Sequence, residues 1–295
     1  MVKVSIIIVN FNTKLLLDQC ITSIYEQCRS NNYEIIVVDN CSNDGSIDFI
    51  RSKYNNVKVI KNFKNYGFGK ANNIGVKYSL GKYLLLLNSD TIVKNNIIDK
   101  FINFYENNNL NLKIGCLGAW LYDENENLAT SMGSFPSKKG IIKDYLNMII
   151  YKNKYTNVND SEIEKKPEYM EVDYLTGALL FMEKNTFNKF NGFDETFFMY
   201  YEETDLQYRM KLEGLKRIIL TSPKVIHLEG RSPNLSNKKR IIYTESMYKF
   251  FKKRTSKFKY NIFKILTLSL RLVTFLKRQY TFKENISFLY KMIKI

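Results

Sequence analysis

An α/β domain on a mostly parallel sheet is what this sequence predicts, and three observations point to it. Short apolar runs recur through the first hundred residues: VSIIIVN (4–10), YEIIVVD (33–39), VKVIK (57–61) and KYLLLLN (82–88). The intervals between them, 14–28, 45–54 and 68–80, have the texture of helices. Inside the runs the apolar residues are consecutive rather than alternating, which marks strands covered on both faces, as in a parallel sheet flanked by helices.

Each element follows from its residues. The run 4–10 is β-branched at Val4, Ile6, Ile7, Ile8 and Val9 and ends on Asn10, Phe11 and Asn12. The second strand ends on Asp39 and Asn40, and Asn43, Asp44 and Ser46 around Gly45 suit a turn and the start of the next helix. The fourth run places Leu84 to Leu87 in succession and then turns polar at Asn88, Ser89 and Asp90. Ligands bind such sheets at the carboxyl ends of the strands, so three polar strand ends converge on one rim. Beyond residue 113 the alternation fails. A polar, loop-rich stretch covers about 130–170, then come an extended segment VDYLTGALLFME (172–183), a helix start at YYEETDLQYRM (200–210) and a strand-like run RIILTSPKVIHL (217–228). The sequence predicts the order of these elements and leaves their topology open.

With 295 residues and 45% apolar content the chain has a sizeable core. Fixed-period repeats are not visible, and the Asn, Lys and Ile richness is spread along the chain. The N-terminus has one Lys and a short apolar run without a small-residue cleavage site, so it reads as a strand and not a signal peptide, with a cytoplasmic location expected. Four cysteines, Cys20, Cys28, Cys41 and Cys116, form no CxxC pair, and a single histidine excludes a Cys/His zinc module. They are expected to be reduced, buried thiols. No GxGxxG follows the first strand, which argues against a dinucleotide oxidoreductase.

Seven blocks resemble the glycosyltransferase family 2 enzymes of the GT-A fold, and most the bacterial rhamnosyltransferase-like branch: SIIIVNFN (5–12), EIIVVDNCSNDGS (34–46), NYGFGKANNIG (65–75), LLLNSDTIV (85–93), LTGALLFM (175–182), GFDETFFMYYEETDLQYRM (192–210) and VIHLEGRS (225–232). They stand in family order across roughly residues 3–250. The resemblance implies an inverting hexosyltransferase that moves a sugar from a nucleotide-sugar donor to a glycan or lipid-linked acceptor in cell-surface polysaccharide synthesis. The favoured donor is dTDP-rhamnose, with other dTDP- or UDP-sugars possible. The domain would be 1–237, with a nucleotide-sugar-binding half (1–112) and an acceptor or catalytic half (113–237).

The same resemblance assigns residues. Asp90 and His227 would hold a divalent metal, Mg or Mn, against the donor diphosphate. The metal motif is often Asp-any-Asp; here it is Asn88-Ser89-Asp90. Glu203 stands where the family has an aspartate base in Glu-Asp-any-Asp, with Glu202 the alternative and Asp205 and Arg209 completing the pattern. The acidic first turn and the Asp205–Arg209 spacing also suit an ordinary helix start. For the nucleotide the candidates are Val9, Asn10, Phe11, Asp39 and Asn40; for sugar or diphosphate they are Gly67, Lys70, Asn73, Asn88, Ser89 and Arg231. Gly177 and Ala178 would let backbone approach the substrates. The altered Asn88 and Glu203 positions also suit a non-catalytic nucleotide- or glycan-binding paralogue that acts as an assembly partner.

The charge is uneven. Residues 238–295 carry 16 Lys and Arg against Glu245 and Glu284, and so hold 14 of the net +16. This tail (238–295) reads as helical after Tyr243, and between Ile262 and Arg278 its polar positions Lys264, Thr267, Arg271, Thr274 and Arg278 are spaced three or four apart, a polar stripe on an apolar helix. Charges interrupt every uncharged run short of a membrane span. Two readings follow: docking on the catalytic domain or a second subunit, as in a homo-oligomer, or lying on an anionic membrane at the inner face of the plasma membrane. In the second, Ile262, Ile265, Leu266, Val273 and Leu276 would be buried in the lipid interface. Nucleic acid is not expected, since no nucleic-acid module accompanies the basic residues.

Overall fold

The computed structural model describes residues 2–29, 32–142, 167–228, 236–273 and 281–295. It falls into two compact units, the first from 2–134, 167–198 and 202–228, the second from 135–142, 199–201, 236–273 and 281–295.

The first unit opens with the expected alternation: β1 (Val4–Asn10), α1 (Lys14–Gln27), β2 (Tyr33–Asp39), α2 (Ser46–Lys53), β3 (Val57–Lys61), α3 (Phe68–Lys77) and β4 (Tyr83–Asn88). After these come β5 (Thr91–Val93), α4 (Ile97–Leu112), β6 (Ile114–Tyr122), β7 (Met132–Gly133), β8 (Tyr169–Val172), β9 (Tyr174–Leu175), β10 (Leu179–Glu183), α5 (Lys184–Lys189), α6 (Glu202–Leu212) and β11 (Lys216–His227). Strands lie in the order β3-β2-β1-β4-β10-β6-β11-β5, with β8 pairing the first half of β11. Pairing is parallel from β3 to β4 and again between β6 and β11, whereas β10 runs antiparallel to β4 and β6. The sheet is mixed and mostly parallel, as expected.

Consecutive apolar residues in the strands divide between two cores. Ile6, Ile8, Leu85 and Leu87 face one side of the sheet with Leu17, Ile21 and Phe101, while Ile7, Leu84 and Leu86 face the other with Ala71, Leu206 and Met210. All of these are buried, and each full aliphatic burial contributes roughly 1.5–3 kcal/mol. This two-sided burial is why the strand runs carry no alternation. Register then aligns the rim: Asn10 pairs with Asp39 and Val9 with Asn88, so the ends of β1, β2 and β4 lie side by side.

β11 pairs with three other strands. An irregularity between Leu220 and Val225 divides it, so that Arg217–Leu220 pairs with β8 while Val225–His227 pairs antiparallel with β5. The sequence segment 172–183, read as one extended stretch, is three short strands broken at Asp173 and at 176–178.

Cysteine burial differs from expectation at one position. Cys20, Cys28 and Cys116 are buried, and burial pushes Cys20 and Cys116 each up to about 12, which keeps them inert thiols. Cys41 is exposed, at φ 66 in the loop that leaves the β2 rim, where no core is available to cover it.

The second unit holds α7 (Ser236–Arg254), α8 (Lys257–Val273) and α9 (Phe282–Lys294). Its polar stripe points opposite to a solvent-facing stripe: Thr267 is fully buried, with its hydroxyl 2.9 Å from that of Tyr248 on α7, and Lys264 Nζ donates to Ile293 O of α9 (3.1 Å). Arg271 lies over the Phe288 ring at 5.4 Å. Thr274, Leu276 and Arg278, and the side chain of Val273, lie outside the described residues. No described helix is long and apolar enough to cross a membrane.

Candidate active site

Why β4, a leucine strand, is followed by a carboxylate is answered by its neighbours. After Asn88 the chain turns through Ser89 and Asp90 into β5, and β5 pairs with the end of β11 so that Thr91 stands opposite His227. Leu228 N donates to Asp90 O (2.8 Å), closing the ladder. His227 Nε2 therefore lies 3.2 Å from Asp90 Oδ1 and 3.4 Å from Asn88 Nδ2. Two adjacent ligands at about 2.1 Å from one octahedral ion are separated by about 3 Å, so the carboxylate and imidazole fit a shared divalent cation. Among the described residues there is no group of three or more His, Cys, Asp and Glu side chains able to hold a metal. Asp90 and His227 are a candidate pair for such a cation, whose remaining ligands would be diphosphate oxygens or water.

The candidate base lies on the other side of the 176–178 loop from this corner. Asn88 N donates to Ala178 O (3.0 Å), at the entry to β10. Beside it, a methyl at Gly177 would sit 3.6 Å from Glu203 Cγ and 3.4 Å from Phe68 Cε1. Glu203 thus borders the 176–178 loop, whereas Glu202 packs against Gly69, where an added methyl would meet Glu202 Cβ at 3.3 Å. Among the described residues, Glu203 Oε2 is buried with no hydrogen-bond partner. Burial pushes its carboxyl above the usual range, and the backbone N–H groups of Glu203 and Thr204 at the start of α6 only partly offset this. A desolvated carboxyl with an open oxygen, beside backbone that leads to a cation corner, suits proton abstraction.

The glycosyl transferase family 2 profile matches residues 5–162, just over half of the chain. The chain belongs to that family. Among its relatives, Rhamnosyltransferase WbbL of Escherichia coli is 28% identical over 214 residues, 66% of this chain and 72% of the relative. An N-acetylglucosaminyl-diphospho-decaprenol L-rhamnosyltransferase of Mycobacterium tuberculosis is 25% identical over 211 residues, 67% of each chain. A crystal structure of GalNAc-T7 with UDP, GalNAc and Mn2+ superposes with a TM-score of 0.58 at 20% identity, over 82% of this chain and 47% of that one, and shows the shared fold. As a member of this family the glycosyltransferase takes a nucleotide-sugar donor and an acceptor.

Other predicted residues of the glycosyltransferase take framing positions. Asn10 and Asp39 are fully buried. Asn10 Nδ2 donates to Asp39 Oδ1 (2.8 Å) and to the hydroxyls of Ser42 (2.9 Å) and Ser46 (2.8 Å), and Asp39 Oδ2 accepts from Ser42 N (3.0 Å). Thr13 Oγ1 joins Asn10 Oδ1 to Ser89 Oγ, so the β1 and β4 ends are tied together. Val9 is half-buried in β1, and Phe11 is the exposed member of this rim. Asn40 Nδ2 donates to Gly67 O (3.0 Å) and its Oδ1 accepts from Asn62.

Lys70 and Asn73 hold the segment that precedes α6. Lys70 Nζ is 2.8 Å from Glu195 Oε2; Asn73 Nδ2 donates to Phe193 O (2.8 Å) and its Oδ1 accepts from Phe193 N (3.0 Å). Gly67, at φ +84, lies so close to Phe198 that a Cβ would fall 2.0 Å from its carbonyl oxygen, and the next amide, Phe68 N, donates to that oxygen. Asp205 and Arg209 form a brace. Arg209 Nε donates to Asp205 Oδ2 (2.8 Å) while its Nη atoms donate to Phe190 O and Gly192 O, fixing α6 to the loop behind it. Arg231 lies outside the described residues.

Two features escaped the sequence reading. Gln207 is fully buried; it accepts from Leu175 N (2.8 Å) and donates to Leu175 O (2.8 Å) and Glu203 O (3.2 Å), so it locks α6 to β9 just ahead of Gly177. Its place one turn after Glu203 was the available signal. Tyr200 and Tyr201 have φ of 66 and 69, a conformation that bulky side chains rarely adopt, immediately before the two glutamates. Such strain concentrates at functional sites.

Proposed function

We propose that the protein is an inverting, metal-dependent glycosyltransferase that moves a sugar, with dTDP-rhamnose the favoured donor, to a glycan or lipid-linked acceptor of a cell-surface polysaccharide. The observation that carries this reading is the short path from the open carboxyl of Glu203 through Gly177 and Ala178 to Asn88, Asp90 and His227. Rhamnosyl transfer is the activity named for two of its relatives. Inversion is assigned from the resemblance to glycosyltransferase family 2, in which one carboxylate serves as base.

Asp90 and His227 would hold Mg2+ or Mn2+, which when bound neutralises charge developing on the diphosphate. Glu203 takes the proton of the acceptor hydroxyl as that oxygen bonds to the anomeric carbon, and the bond from that carbon to the diphosphate oxygen breaks on the opposite face. Gln207 and the Arg209 brace hold α6 in place, because catalysis is sensitive to displacements of about 1 Å. The polar rim of Asn10, Asp39 and Asn40 shapes the loops against which Phe11 and the nucleotide would meet.

The test is a panel of dTDP-, UDP- and GDP-sugars, assayed for hydrolysis and transfer with Mn2+ or Mg2+ and lipid-linked acceptors. Turnover is expected with dTDP-rhamnose. Donor binding by calorimetry without turnover across the panel would instead favour the non-catalytic paralogue, for which the altered Asn88 and Glu203 positions are the motivation.

A further inference from the structure

The surface of the second unit is arranged in reverse for a helix facing water. On α8, Phe258 (74% exposed), Ile262, Ile265 (63%) and Leu272 recur at intervals that place them on one side, opposite the inward-facing Lys264, Thr267 and Arg271. On α9 the pattern repeats with Phe282 (74%), Ile286, Tyr290 and Ile293 (65%), while Asn285, Phe288 and Met292 face inward. The Lys264–Ile293 hydrogen bond and the Arg271–Phe288 contact put the two helices side by side. Exposed lysines accompany the apolar residues: Lys257 and Lys259 on α8, and Lys283, Lys291 and Lys294 on α9.

We propose that the outer faces of α8 and α9 form one bed that inserts into the interface of an anionic lipid membrane. The apolar side chains supply burial in the acyl boundary and the flanking lysines meet the anionic headgroups, each contributing while the surrounding salt is low. Charge selects this occupant over a second copy of the chain. Residues 238–295 hold 14 of the net 16 positive charges, so a two-fold contact of this face with itself would set two strongly basic surfaces together, whereas an anionic bilayer neutralises them. Helices that lie in the interface need no spanning length, in keeping with the described helices.

The inference stands apart from the catalytic reading, because its readout is lipid binding. The full chain is sedimented with vesicles of phosphatidylcholine alone and with vesicles containing one-third phosphatidylglycerol, at low and high NaCl. Partition to the anionic vesicles is expected, at least about tenfold above the neutral ones, with incomplete release by salt. The double substitution Ile265→Ser and Ile293→Ser lies on exposed positions and should keep the melting temperature while weakening partition about tenfold or more. Lys283→Gln with Lys294→Gln should remove most of the preference for anionic lipid. Absence of binding, indifference to lipid charge, or an unaltered serine double variant would each overturn the proposal. So would a dimer in solution that the serine substitutions dissociate without any vesicle binding, which would assign the face to self-association.

Discussion

The exchange Glu203→Gln tests the site most directly. Glutamine keeps the length and shape of the side chain that borders Gly177, so the loop is undisturbed, while the proposed proton acceptor is lost. A general base contributes about 10²–10⁴-fold, so kcat should fall by that factor, equivalent to roughly 3–5 kcal/mol of barrier. Donor affinity should change little, because the role proposed for Glu203 is on the acceptor. The pH dependence carries a second signature. Burial holds the Glu203 carboxyl above its ordinary value, so the base loses its proton only at higher pH, and wild-type kcat should decline on the acid side of that raised value. Stability moves the opposite way with pH: between the ordinary and the raised value the folded chain retains a proton that the unfolded chain has released. That contribution is complete below the ordinary carboxylate range and is lost as pH rises through the raised folded value. The melting temperature of the Glu203→Gln variant should therefore gain on wild type as pH increases across that window. Turnover measured with donor and acceptor, calorimetry of donor binding and thermal melts from pH 4 to 8 give all three readouts. Retained activity in Glu203→Gln beside a dead Glu202→Gln would refute the assignment of Glu203 over its neighbour, and a melting difference independent of pH would refute the desolvated carboxyl.

Asp90→Ala and His227→Ala should each weaken donor binding in Mn2+ by about tenfold or more, and EDTA should weaken wild type but leave both variants nearly unchanged, as read by calorimetry. Arg209→Ala removes a charged partner of the buried Asp205 together with the ties to Phe190 and Gly192, and should cost about 3 kcal/mol of stability, measured by denaturant titration, with Arg209→Lys restoring only part of it.

The first four strands were legible because parallel strands buried on both faces need unbroken apolar runs, and the runs at 4–10, 33–39, 57–61 and 82–88 matched β1 to β4 to within one residue. The rim was legible for the same reason: parallel neighbours end together, so Asn10, Asp39 and Asn88 had to meet once the order of strands allowed it. Seven motif blocks were sufficient to indicate the family. Local sequence could not decide what depends on distant partners. That Asp90 meets His227 requires β5 to pair with the end of β11, a contact between residues more than a hundred positions apart. Which glutamate borders the 176–178 loop depends on how α6 is clamped by Gln207 and Arg209, and two adjacent residues on a helix have the same composition signal but directions about 100° apart. In the tail, periodicity showed an amphipathic helix but not which side faces out. The tertiary packing of α8 against Tyr248 and α9 turned Thr267, Lys264 and Arg271 inward, because there they find hydrogen-bond and aromatic partners, and left Ile265 and Leu272 on the surface.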